Sequence, residues 1–232
     1  MNSETGNNTS TLETEVRATV EHGNNVQEKV RQLTLRVISS RSLDIQSVRQ
    51  AAESVLRGAQ AAVEKELQNS SAQTHIARDH LKQAVTGLDI ALAQFAEAAK
   101  LAVDEASSRA QKYSSEDLKR ARSDLENLEK MFLETLQNSA SATKNAAGDI
   151  LHDLAAHTRT HGSAVGAQLK ETLSVFARHI GEAGRAQVGV GLHLAKNTSD
   201  LVRQIAAGVL TGLADHVRPE HVQPSHIKDK AE

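Results

Sequence analysis

Proline is absent from the first 218 residues of the chain, and its two prolines are Pro219 and Pro224. A proline inside a helix removes a backbone hydrogen bond and clashes with the preceding turn, at a cost of ~3 kcal/mol. The stretch before Pro219 is rich in Ala, Leu, Gln, Glu, Lys and Arg, which are good helix formers. The sequence therefore predicts an all-α fold of long helices, a shape that more often binds partners, surfaces or further copies than encloses a reaction.

Large core-forming side chains are scarce. The 232 residues include no Trp, one Tyr and three Phe. Burial must then come from Ala, Val, Leu and Ile in narrow seams, which favours helices packed at close range. We expect long amphipathic helices that form an elongated bundle or coiled-coil rod of about four to five helices.

Charge and cysteine content limit the function classes. The chain has 27 Lys and Arg against 29 Asp and Glu, without a basic block, so we expect no nucleic-acid partner. The absence of Cys excludes disulfides and thiolate chemistry and gives no sign of an oxidising compartment.

The first residues lack the basic start and apolar stretch of a secretory signal, and the longest apolar run, 205–214, is about half the ~20 residues that span a bilayer. We expect a cytoplasmic protein, at most peripheral on a granule or membrane.

Pattern changes divide the chain into four regions. Residues 1–10 are polar and predict a disordered lead, and residues 218–232 predict a disordered tail with histidine repeats. Residues 11–145 form a heptad-like helical region, in which two neighbouring seven-residue lines predict a seam wider than that of a two-stranded coil. The lines are Leu81, Leu88, Phe95 and Ala102, and Val85, Leu92, Ala99 and Ala106.

The remaining region, residues 146–217, is Gly-rich and its apolar residues recur every eleven positions. A repeat of eleven gives about 3.67 residues per turn, so its apolar stripe runs nearly straight along one long helix, unless residues 187–194 bend it. A straight stripe suits a flat hydrophobic boundary or a partner helix. The candidate surface- or partner-binding residues are Val165, Leu169, Leu173, Phe176, Ile180, Val202 and Leu213.

Two small-residue pairs in the same region allow helix backbones to approach closely. They are Gly162 with Gly166, and Gly208 with Gly212. One interpretation is a dedicated dimerisation or membrane-docking face, and the other is the crowded interior of a bundle.

Chemistry-bearing motifs are few. Asp153, His157 and His161 lie four apart on one helix face, where two imidazoles and a carboxylate could bind a metal ion, or form a solvated ladder of i,i+4 contacts. No further ligand is identifiable, so we predict no metal and no other cofactor. The sequence holds no nucleophile elbow, phosphate-binding loop or dinucleotide fingerprint, and we expect no enzymatic activity.

Ala-rich amphipathic helices with isolated Phe residues, such as LAQFAEAAKLAVDEA at 92–106 and LKETLSVFARHI at 169–180, resemble the phasins, bacterial helical proteins that coat polyester storage granules. The resemblance implies a non-enzymatic surface coat that self-assembles, which is the expected function, with a homo-oligomer and a hydrophobic granule or membrane surface as partners. The alternative is a cytosolic coiled-coil scaffold or partner-binding bundle. A scaffold hides Leu169, Phe176, Ile180 and Leu213 inside protein, whereas a coat exposes them or releases them on binding.

Overall fold

The computed structural model of the chain describes residues 3–40, 45–69, 74–108, 115–143 and 145–186, and these are helical apart from short turns. The predicted all-α fold is confirmed for this part of the chain. Its eight helical segments exceed the expected four to five, so that expected number is wrong. The segments are α1 (Ser3–His22), α2 (Val26–Ser39), α3 (Ile45–Asn69), α4 (Thr74–Ser108), α5 (Ser115–Glu126), α6 (Leu128–Ala142), α7 (Ala146–His161) and α8 (Ala164–Ala186).

Two of the separations between segments are slight. Asn127, between α5 and α6, keeps helical backbone angles of φ −87° and ψ −8°. Its N–H donates to Ser123 O at 3.3 Å, and Met131 N–H donates to Asn127 O at 2.8 Å, so the helical hydrogen-bond pattern continues through the junction. The segments α7 and α8 are separated only by Gly162 and Ser163. The pairs α5–α6 and α7–α8 therefore each act as one interrupted helix.

The helices form three hairpins that pack side by side, with the second in the middle. The first hairpin is α1–α2, the second is α3–α4, and the third joins α5–α6 to α7–α8. Helix α1 packs on α3 and α2 packs on α4, while α6 packs on α3 and both α7 and α8 pack on α4. The second hairpin is therefore covered on two sides.

Ion pairs between hairpins show that corresponding helices run parallel. Glu13 of α1 pairs with Arg57 of α3 at 2.9 Å, and Glu21 pairs with Lys65 at 3.0 Å, eight residues further along both helices. At the third hairpin, Arg78 of α4 lies 2.9 Å from Asp153 of α7. Further along α4, Lys100 forms an ion pair with Glu171 of α8, the helix that follows α7. Helix α4 therefore keeps the same parallel register with the third hairpin along its length.

The two helices of the second hairpin are lined with small residues. A Cβ added at Gly58 of α3 would overlap the carbonyl oxygen of Glu13, and one added at Gly87 of α4 would overlap the carbonyl oxygen of Gln27. Each helix thus touches the backbone of its parallel neighbour in the first hairpin at a glycine. Alanines extend the close packing along both helices: Ala51, Ala52, Ala59, Ala62, Ala77, Ala84, Ala91, Ala96, Ala98 and Ala102 are all buried.

The predicted wide seam of α4 agrees with its place in the bundle. Leu81, Leu88 and Phe95 of one seven-residue line and Val85 and Leu92 of the other are buried. Because α4 contacts α2, α3, α7 and α8, it needs apolar residues on more than one narrow stripe.

Other expectations from the sequence need correction. Helix α1 begins at Ser3, so residues 3–10 of the predicted disordered lead are helical. The single long helix predicted from residue 146 is interrupted at Gly162, whose φ of 88° is incompatible with a continuous right-handed helix. Residues 187–232 lie outside the described part, and with them the 187–194 segment and the predicted tail.

Replacing Gly87 with alanine tests the close approach of α4 to α2. We expect Gly87→Ala to lower the free energy of unfolding by about 1–3 kcal/mol, because the new methyl group meets backbone that cannot move alone. Gly181 of α8 is the matched control, since a Cβ there would have no atom of the described residues within 4 Å. Gly181→Ala should stabilise the protein by roughly 0.5–1 kcal/mol through helix propensity. Urea unfolding monitored by circular dichroism measures both, and equal effects of the two substitutions would contradict the close approach.

Candidate binding face of the last described helix

The apolar face predicted on the last third of the chain exists on α8. Val165, Leu169 and Phe176 are buried in the hydrophobic core, and Leu173 and Ile180 are half-buried against it. Their spacings of three and four residues place them on one side of the helix. Val202 and Leu213, the other two candidates, lie outside the described residues.

This face is covered by the chain itself. Helix α8 packs along α4 and also contacts α5 and, less extensively, α6. Phe176 has no exposed surface and Leu169 is 4% exposed, so neither is accessible to a partner while α8 is docked. The exposed residues of α8 include the charged side chains of Lys170, Glu171, Arg178 and Glu182.

Polar contacts fix the register of α8 on α4. The buried Thr172 hydroxyl donates to the carbonyl oxygen of Ala96 at 3.3 Å. One turn further along α4, Lys100 Nζ lies 2.6 Å from Glu171 Oε1, and this hydrogen bond raises the pKa of Lys100. Glu171 is mostly exposed, so the ion pair adds little stability and mainly sets the alignment.

The beginning of α8 is held by a carboxylate from α4. Asp89 Oδ2 accepts from Ala164 N–H at 2.7 Å, and Asp89 Oδ1 accepts from Val165 N–H at 3.0 Å. These N–H groups have no partner within the helix, because the first turn lacks preceding carbonyls. Asp89 thus acts as a cap supplied by a neighbouring helix, and its negative charge is favourable at the positive end of the helix dipole.

A second carboxylate contacts the same turn from α6. Glu129 Oε1 accepts from the Ser163 hydroxyl at 2.7 Å, and Ser163 Oγ accepts from Gly166 N–H at 2.9 Å. Asp89 of α4 and Glu129 of α6 therefore meet at the junction of α7 and α8. This junction, with Ser163 at its centre, ties the third hairpin to the second.

Burial raises the pKa of Asp89 above its ordinary value of 3.8. The hydrogen bonds from Val165 and Ala164 act in the opposite direction, and the nearby negative charge of Glu129 adds to the rise. In the folded chain, Asp89 therefore holds its proton more tightly than in the unfolded chain.

Two of the four predicted helix-contact glycines, Gly162 and Gly166, are among the described residues. Neither serves to bring two helix backbones close together. Gly162 ends α7 with a positive φ, and a Cβ there would meet no atom within 4 Å in the part of the chain that the structure describes. Gly166 is buried, and a Cβ there would overlap the Glu129 carboxylate, so its small size makes room for a side chain. Gly208 and Gly212 lie outside the described residues.

The three residues of the possible metal site, Asp153, His157 and His161, have different contact partners. Asp153 pairs with Arg78 at 2.9 Å, whereas His157 and His161 stack on each other with ring centroids 4.2 Å apart. Among the described residues, no group of three or more His, Cys, Asp or Glu side chains is arranged to hold a metal ion. Within that same part of the chain, no helix combines the length and apolarity needed to cross a bilayer.

A shallow groove lies between α1 and α3. It has a volume of about 400 Å³ and is lined by Thr14, Arg17, Ala18, Glu21, Ala61 and Lys65. Lys65 already pairs with Glu21 across the groove, so its charges are directed at each other. The groove is a gap between parallel helices, and its lining offers no convergent set of polar groups for a ligand.

Comparison with known proteins adds a family assignment. The sequence model of DUF6781, described as a family of unknown function, matches residues 2–219. The chain belongs to this family. The DUF6781 match covers all three hairpins and continues beyond Ala186, the last described residue. No curated protein and no solved structure matches the chain.

Truncation of Phe176 tests the burial of the α8 face. We expect Phe176→Ala to lower the free energy of unfolding by about 3–5 kcal/mol, because it removes a ring from a closed core. Leu101, on α4, is 42% exposed and provides a control. Leu101→Ala should cost about 1 kcal/mol or less. Chemical unfolding of the two variants measures the difference, and a small effect at Phe176 would mean that the face is open in solution.

The pH dependence of stability tests the environment of Asp89. Because its pKa is raised in the folded chain, the stabilisation from the protonated form is complete below about pH 3.8 and is lost as pH rises through the raised pKa. The stability of the unmodified protein relative to Asp89→Asn should therefore fall as pH increases from about 4 to 7. Urea unfolding at several pH values measures this, with Asp153→Asn, at an exposed carboxylate, as the control. A relative stability that increases with pH would be the opposite of the expected result.

Proposed function

We propose that the protein is a non-enzymatic helical scaffold, a partner-binding bundle whose apolar seams are satisfied by its own helices. The observation that carries the proposal is the burial of Val165, Leu169 and Phe176 between α8 and its neighbours. Helix α4 covers the apolar stripe whose eleven-residue repeat would also suit a hydrophobic boundary. With α8 docked on α4, the chain buries this face without lipid or polyester.

The outer surface of such a bundle is a polar one. On α7, the exposed residues Asp149, His152 and Asp153 face away from the core, and on α8 Lys170 and Arg178 do so. Opposite charges are interspersed, which suits recognition of another mixed-charge protein surface, including another copy of the chain. A homo-oligomer built through these faces is the partner that we propose.

Association with a hydrophobic surface is the second candidate, and one feature of α8 favours it. Gly162 separates α8 from α7, so α8 can move as a unit about this residue, where the backbone already departs from helical geometry. Release of α8 from α4 would expose the apolar face from Val165 to Ile180. In this second proposal the protein is a coat on a granule or membrane, and docking of α8 on α4 is its inactive form.

A disulfide between α4 and α8 separates the two proposals. The chain has no native cysteine, so Ala96→Cys with Thr172→Cys, at residues in contact across the two helices, would introduce one defined pair. We would measure flotation with phospholipid vesicles and with polyester particles, together with sedimentation velocity, for the oxidised and the reduced protein. The scaffold proposal predicts one mass in solution and no binding to either surface in both forms.

The coat proposal predicts a different pattern. The reduced protein should bind the vesicles or particles, and the oxidised protein should stay in solution because α8 cannot leave α4. The unmodified chain, treated with the same oxidant and reductant, controls for effects of the reagents. Surface binding by both the oxidised and the reduced forms would rule out release of α8 as the mechanism and would contradict the scaffold proposal as well.

A further inference from the structure

Two histidines lie one turn apart at the end of α7. His157 and His161 are both exposed, and their rings stack with centroids 4.2 Å apart and planes inclined by 27°. Side chains at positions i and i+4 of a helix lie on the same face and within reach of each other. The two imidazoles are therefore already side by side on an accessible surface.

A hydrogen bond to the backbone orients the ring of His161. Its Nδ1 lies 3.1 Å from the carbonyl oxygen of His157, and because a carbonyl oxygen only accepts, Nδ1 donates this bond. The lone pair of the neutral ring is then on Nε2. In metal sites, the histidine nitrogen that does not bind the ion commonly donates to a backbone carbonyl in this way. Within the described part of the chain, no hydrogen bond or ion pair engages Nε2 of His161 or the ring nitrogens of His157.

The spacing of the two rings suits a single metal ion. An imidazole nitrogen binds Zn²⁺ at about 2.0–2.1 Å, so two nitrogens on one tetrahedral ion are about 3.4 Å apart. The ring centroids of His157 and His161 are 4.2 Å apart. Because both side chains are exposed, small rotations about their side-chain bonds can bring the two nitrogens onto one ion without displacing the core.

The position at the end of the helix also favours a cation. His161 is the last residue of α7, and the carbonyl groups of a final turn give a helix a partial negative charge at this end. Arg159 is in the same turn but two residues from each histidine, which places it on the other side of the helix. Asp153 is occupied by its ion pair with Arg78.

We propose that His157 and His161 form a two-nitrogen chelating site for a divalent transition-metal ion, with water in the remaining coordination positions. Imidazole ligands favour ions such as Cu²⁺, Ni²⁺ and Zn²⁺, whereas Mg²⁺ and Ca²⁺ prefer oxygen. The site differs from the three-residue set discussed above because Asp153 is not part of it. The inference goes beyond the proposed scaffold function and does not depend on it.

A copper titration of the ¹⁵N-labelled full chain tests the site. Cu²⁺ is paramagnetic and broadens the NMR signals of nuclei close to it, and it binds nitrogen ligands more tightly than the other divalent first-row ions do. We expect substoichiometric Cu²⁺ to broaden the amide signals of residues 157–161, while those of α2, which contains no histidine, persist. An excess of diamagnetic Zn²⁺ should restore the broadened signals by competition, whereas the same concentration of Mg²⁺ should not.

Exchanging two residues of α7 gives a control of identical composition. Arg159→His combined with His161→Arg keeps the number of histidines but spaces this pair two residues apart, on opposite sides of the helix. The copper concentration that broadens the α7 signals should increase by at least about tenfold, because a single imidazole loses the gain from binding the ion twice. His152→Gln, at another exposed histidine of α7, should leave this concentration unchanged.

A single substitution gives the same test without the exchange. His157→Gln removes one ligand at an exposed position and should weaken copper binding at α7 as much as the exchange does. The proposal would be overturned if copper broadened α7 equally in the unmodified, exchanged and His157→Gln proteins. It would also be overturned if the α7 signals of the unmodified protein persisted while copper broadened other parts of the chain, or if Zn²⁺ failed to restore them.

Discussion

The close approach of the second hairpin to both of its neighbours is the constraint on which the rest of the bundle depends. A chain with three Phe and no Trp cannot fill wide gaps between helices, so its helices must lie near one another. Gly58 and Gly87 permit this against the first hairpin, and buried alanines continue it along α3 and α4. With these distances fixed, Val, Leu and the few aromatic residues suffice to close the core.

The sequence predicted the fold class and much of the core because those depend on local periodicity. The two seven-residue lines of α4 indicated a helix with more than one neighbour, and the stripe on α8 indicated an apolar face. Neither pattern names what covers it, because an apolar stripe has the same spacing against a helix, a second copy or a lipid surface. The number of helices was underestimated, and interruptions such as Gly162 were absorbed into longer helices, because one glycine hardly changes the period.

The candidate site shows the same division between local and long-range information. Gly162 and Gly166 fit a small-residue pair by spacing, yet one ends a helix and the other makes room for Glu129. The contacts of Asp89 with the start of α8, and of His179 with Asp104, join residues about 75 positions apart. No spacing along the chain could predict them. A serine after a helix-ending glycine was the one local signal that a capped helix begins near residue 164.

The parallel register of corresponding helices in neighbouring hairpins is the central structural claim, and zero-length cross-linking with a carbodiimide tests it most directly. This reagent joins a lysine to a carboxylate only when the two are in contact. Within a single chain, the three-hairpin arrangement predicts products that join Lys65 to Glu21, which are 3.0 Å apart, and Lys100 to Glu171, which are 2.6 Å apart. Recovery instead of products such as Lys82 joined to Glu182, which would place α8 antiparallel to α4, would contradict it.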